Sequence, residues 1–76
     1  MEWKMGFFRV MLGNKFTILA TNGGENGRQL ASKSEAVAFD VYDRMIGQMV
    51  ARDQQFEAAF DFCASRLAMD AAHALQ

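Results

Sequence analysis

Three of the chain's six glycines fall within five positions of the segment TNGGENGRQ, residues 21–29. Glycine-rich turns bind phosphate when backbone N–H groups converge and a lysine and hydroxyl follow, as in G-x-x-x-x-G-K-[ST]. Here Gly27 is followed by Arg28 and Gln29. The dinucleotide spacing G-x-G-x-x-G fails as well, because Asn22 stands where the first glycine is required. The segment reads as a turn, with Asn and Gly supplying left-handed backbone. His73 is the sole histidine, three residues after Asp70, and the sole thiol, Cys63, lies ten positions before it. That separation exceeds a helical turn. Cys63 shares an apolar stripe with Phe60 and Leu67, where a thiol behaves as a small hydrophobe. The expectation is a surface histidine, a core cysteine, no catalytic residues and no cofactor.

Two charged patterns remain. Asp53, Glu57 and Asp61 stand at i, i+4 and i+8, an acidic row that serves as a solvated helix face or a docking stripe for a basic partner. Such a face cannot wrap Ca²⁺ with the six to eight oxygens it prefers, so no metal site is assigned. The N-terminal third carries the opposite charge. Lys4, Arg9 and Lys15 are interleaved with Trp3, Phe7, Phe8 and Phe16, a mixture that single-stranded nucleic acid exploits by stacking and phosphate contact. In a small domain the same aromatics are also the natural core.

Two textures must position these groups. The first is aromatic and β-branched: EWKMGFFRVML, then GN, then KFTILAT. A Gly-Asn pair between apolar runs predicts an antiparallel hairpin with a two-residue type II′ turn, Gly13 taking the positive φ. That turn sets Leu12 opposite Lys15, Val10 opposite Thr17 and Phe8 opposite Leu19, which leaves both faces largely apolar. One face then packs on helices, and the other needs a cover. A third short strand is expected near 28–31.

The second texture begins at SKSEAVAFD, where Ser32 and Glu35 hold the S-x-x-E spacing of a capping box. Val37, Val41, Tyr42, Met45, Ile46, Met49 and Val50 recur at helical spacing, and Phe56, Phe60, Cys63 and Leu67 continue the pattern. The reading is α+β, an N-terminal hairpin followed by two helices at about 33–51 and 53–75, with Asp53 capping the second. One continuous helix is the alternative; it would run roughly 60 Å and need another chain to stabilise it. The segment RQLASKSEAVAFD, residues 28–40, resembles the strand-to-helix junction of the arm-type DNA-binding domains of phage-type integrases. The resemblance implies a strand leading into a capped helix and carries over no functional residue.

The totals bound the rest. Seventy-six residues make one domain, spanning 1–76, and 51% of them are hydrophobic, with seven Phe and six Met. A chain this short buries only about 60% of its unfolded surface, so that much apolar material points to oligomerisation. A homodimer is expected, with Phe62 and Met69 as its contact. One cysteine excludes a disulfide within the chain and a cysteine-based zinc site from one copy. No stretch reaches the length of a membrane span, and the protein is read as cytoplasmic. Charge is split: residues 1–34 hold five cations against two acids, net +3, and residues 35–76 three against seven, net −4. The function expected is a small non-catalytic binding protein that regulates or inhibits a macromolecular partner by covering its surface, in the style of phage-type inhibitors of host systems. Its partner contacts would come from Trp3, Lys4, Phe8, Arg9, Lys15, Asp53, Glu57 and Asp61. The alternative is a nucleic-acid-binding protein using the basic, aromatic hairpin.

Overall fold

A computed structural model describes residues 7–23 and 29–74. Among these described residues, four antiparallel strands in chain order form one sheet, and one helix packs on one of its faces. Strand β1 (Arg9–Leu12) pairs with β2 (Phe16–Thr21), β2 with β3 (Ala38–Asp43), and β3 with β4 (Gln48–Gln54); the helix α1 covers Phe56–Ala74.

The expected hairpin forms with a register one residue away from the expected one. Leu12 faces Phe16, Val10 faces Ile18 and Arg9 faces Leu19, so the turn holds three residues, Gly13 to Lys15. Gly13 does take the left-handed conformation, at φ 61°. Because side chains alternate with period two, a one-residue slip exchanges the whole of one strand's facing set. The observed register gathers Val10, Leu12, Phe16, Ile18, Phe39 and Val41 on the helix side. Arg9, Met11, Thr17, Leu19 and Tyr42 go to the opposite side. One face is therefore apolar and the other mixed, and the expectation of two greasy faces is corrected.

The first expected helix is also overturned. Residues 33–51 contain a 3-10 turn at Lys33–Glu35, all of β3 and the start of β4. Neither two helices nor one long rod is present. Val37 and Val41 fit helical spacing while Phe39 and Val41 fit strand alternation, and short apolar runs do not separate the two. The turn chemistry decides. The Asp43 carboxylate accepts the N–H groups of Met45 at 2.9 Å and Ile46 at 3.3 Å. Gly47, at φ 69°, donates its N–H to the Asp43 carbonyl at 2.8 Å. A side-chain acceptor at the start and a left-handed glycine at the end close a tight hairpin loop. The capping pair serves only the 3-10 turn: the Ser32 hydroxyl donates to the Glu35 carboxylate at 3.2 Å, and Ala36 is already extended. The segment that resembled a strand-to-helix junction thus leads from the 3-10 turn into a strand. The expected third strand near 28–31 reduces to a single antiparallel bridge between Thr21 and Leu30.

Strand β4 is irregular. Phe39 faces Gln54 and Val41 faces Ala51, so Arg52 and Asp53 together oppose Asp40. Asp53 takes φ 57° and donates its N–H to the buried Asp40 carboxylate at 2.9 Å. A bulge of this kind needs a partner for the displaced N–H, and Asp40 supplies it. Asp53 accordingly belongs to β4, and the helix begins three residues later, at Phe56.

Helix α1 buries a narrow stripe. Ala59 and Cys63 are fully covered, and Phe56, Phe62 and Leu67 pack beside them against Phe16, Ile18 and Val41. Each large buried aliphatic or aromatic side chain contributes about 1.5–3 kcal/mol. Burial pushes the Cys63 thiol above its ordinary pKa, because the charged form would lose its water.

Candidate docking surface

The sheet and helix meet differently at their two ends. At the end where α1 begins, four phenylalanines form a connected group. Phe56 stands 5.3 Å from Phe39 and 6.3 Å from Phe8 between ring centroids, and Phe60 lies 6.2 Å further along the helix. Phe8 and Phe39 meet edge to face at 6.3 Å. These rings sit in favourable aromatic geometries. They are not sealed: Phe8, Phe39 and Phe56 are half-buried, and Phe60 keeps 40% of its surface exposed.

Two depressions share Phe56 as their common wall. One, of about 370 Å³, is lined by Phe8, Lys33, Phe39 and Phe56, and the Lys33 ammonium lies 5.7 Å over the Phe8 ring. The other, of about 470 Å³, is lined by Phe56, Glu57, Phe60 and Asp61. Here the helix places two rings and two carboxylates in adjacent i, i+4 rows. Glu57 and Asp61 are both exposed, and neither has an ion-pair partner among the described residues.

At the opposite end Lys15 and Arg44 are engaged within the chain, with the Arg44 Nε left buried and without a hydrogen-bond partner among the described residues. Lys15 reaches Asp70 at 3.0 Å while its ammonium lies 5.3 Å over the Phe16 ring. Arg44 donates from Nη2 to the carbonyls of Gly13 at 2.9 Å and Phe16 at 3.3 Å, fastening the second hairpin loop to the first. Leu67 packs against Gly13, where an added Cβ would come within 3.5 Å of its methyl. Arg66 stacks on Phe62 at 4.7 Å, and Phe62 in turn meets Phe16 at 6.1 Å.

The sequence-derived contact residues are therefore divided. Phe8, Glu57 and Asp61 come together at the aromatic end. Arg9 is exposed on the sheet face opposite the helix, Lys15 is engaged at the far end, and Asp53 lies in the bulge. Phe62 is half-buried inside the fold, and Met69 is 56% exposed on α1. Trp3 and Lys4 lie outside the described residues. The acidic row is not one helix face, since only Glu57 and Asp61 belong to α1. Phe39, Phe56, Phe60 and Lys33 were missed as site residues. Phe56 and Phe60, four apart with two acids beside them, were the available signal.

The glycine segment closes as a loop neck. Asn22 donates its N–H to the Gln29 carbonyl at 3.0 Å, and Gln29 donates back to the Asn22 side chain at 3.1 Å. Gly23 adopts φ 79°; residues 24–28 lie outside the described set. Among the described residues no three of His, Cys, Asp and Glu are grouped as a metal site, and no helix is long and apolar enough to cross a membrane. No protein family, curated protein or solved structure matches this chain.

Proposed function

We propose that this chain is a small non-catalytic binding protein that regulates or inhibits a macromolecular partner by docking on it through the aromatic end of the fold. One observation carries the reading: a connected group of four phenylalanines stays half-open to solvent, bordered by Lys33 on one side and by Glu57 and Asp61 on the other. Binding hot spots are aromatic anchors within a charged rim, and the rim guides encounter. Isolated exposed apolar residues are ordinary, whereas here the exposed Phe60 is continuous with three half-buried rings. Capture from the source cell with wild-type protein and with Phe60→Ala tests it. A protein retained by wild type and depleted with Phe60→Ala supports the reading; identical captured sets contradict it.

The same reading includes a homodimer. Met69, exposed on α1, with the half-buried Phe62 seven residues earlier on the same helix, is the proposed contact for self-association. Light scattering across a dilution series tests the copy number. The nucleic-acid reading is the weaker one, because Lys15 is held by Asp70 and Arg9 lies on the sheet face away from the helix, so neither of these two hairpin cations stands at the ring group. A mobility-shift titration at low salt tests it, since phosphate-driven binding must weaken steeply as salt is added.

A further inference from the structure

Two cations lie against phenylalanine rings beside helix α1, and a carboxylate of the helix holds one of them as well. Lys15 is held by a phenylalanine face and a carboxylate at once, with Phe16 at 5.3 Å and Asp70 at 3.0 Å. Arg66 lies 4.7 Å over Phe62. The negative face of an aromatic ring attracts a cation, a nearby carboxylate adds to that attraction, and arginine suits both because its plane stacks while its edge pairs. At the start of α1 the same components stand side by side: Phe56 and Phe60 as faces, Glu57 and Asp61 as carboxylates, with no described cation paired to either acid. The positive helix terminus accounts for an acid at Glu57, in the first turn. It does not account for Asp61, a full turn further in, where the dipole's influence has faded.

The geometry points to an occupant for the groove: an extended segment of a protein partner that presents an arginine next to an apolar side chain. The arginine stacks on Phe56 and Phe60 and pairs with Glu57 and Asp61. The apolar neighbour enters the adjoining depression of about 370 Å³ lined by Phe8 and Phe39. Lys33 on that depression's rim disfavours a second cation there and so sets the order of the two side chains. This inference deepens the proposed docking function and rests on it, naming the chemistry of the partner at the same surface.

The probe is a capped tripeptide, acetyl-Leu-Arg-Leu-amide, titrated into the full ¹⁵N-labelled chain alongside the same peptide with citrulline, the neutral isostere of arginine. The expected result is amide shifts centred on residues 56–61 and Phe8, with the arginine peptide bound about 3–10-fold more tightly than the citrulline peptide. The preference should disappear in Glu57→Gln/Asp61→Asn while the rest of the spectrum is unchanged, and the single Glu57→Gln should diminish it if the double variant does not fold. Equal affinity for the two peptides overturns the inference, as does no binding of either or shifts centred on another surface. Shifts at 56–61 that grow with protein concentration alone identify a second copy as the occupant and overturn it too. Because Phe60→Ala capture does not depend on peptide charge, capture can succeed while the peptide test fails; docking would then stand and the arginine assignment would fall.

Discussion

The two ends of this molecule are built from the same residue types and differ in whether their aromatic rings and charged side chains are engaged with the rest of the fold. At the Gly13 end, Phe16 is buried, Lys15 is paired and stacked, and Arg44 fastens two loops together. At the Phe56 end, Phe60 keeps 40% of its surface and two carboxylates have no described partner. One end spends its aromatic and ionic chemistry on the fold, while the other keeps it on the surface. Substitutions at the first should therefore be read in stability, and substitutions at the second in binding.

The largest expected effect is at the closed end. Phe16→Ala removes a fully buried ring and should cost about 3–5 kcal/mol. That is much of the total stability expected of a domain this size, at roughly 0.05–0.15 kcal/mol per residue. Phe60→Ala at the open end should cost less than about 1.5 kcal/mol, because much of the ring is already in water. Urea unfolding of the two variants side by side checks the contrast, and equal losses would break it. Arg44→Ala comes next: it removes two hydrogen bonds that link the hairpin loops, one exposed and one part-buried, and should cost about 0.5–1.5 kcal/mol, read from the urea midpoint.

A pH effect follows from Cys63. Its pKa is raised by burial, so the folded state retains the thiol proton more strongly than the unfolded chain does. The associated stability is full below the unfolded thiol's pKa, about 8.5, and declines as pH rises toward the folded value. Urea midpoints measured from pH 7 to 10 should fall, with a shallower fall in Cys63→Ala. A parallel slope in the variant would assign the decline to other groups.

The smallest effects should come from exposed charges. Lys15→Ala should cost no more than about 1 kcal/mol, because the pair is partly solvated. Glu57→Gln and Asp61→Asn should stay within about 0.5 kcal/mol of wild type while changing the arginine preference. A large stability loss from either acid would place it in the fold's framework and blur the distinction between the ends.

The hairpin and the C-terminal helix were legible in the sequence, and the reasons are local. GN between apolar runs marks a reversal, and a helix of nineteen residues repeats its stripe often enough to be unambiguous. The hairpin's register was not legible, because a two-residue and a three-residue turn both satisfy Gly13, and only the apolar match of Val10 and Leu12 with Ile18 and Phe16 selects between them. The second hairpin was misread because Val41, Met45 and Met49 fit a helix by spacing. Asp43 and Gly47, four apart inside that stretch, were the turn signal, and weighing Gly47 against a helix interior would have recovered it. Of the surface, the acids were visible but their grouping was not. Asp53 left the row through a bulge whose stabilising partner, Asp40, is distant in sequence. The rings of Phe8 and Phe39 reach Phe56 only through tertiary packing, which no local pattern encodes.

The most direct measurement is photo-cross-linking in the source cell with a photoreactive phenylalanine placed in turn at position 60 and at position 14. The account predicts a discrete protein adduct from position 60 and none from position 14, in the first hairpin turn of the closed end. Adducts from position 14 alone, or equal adducts from both, would contradict it.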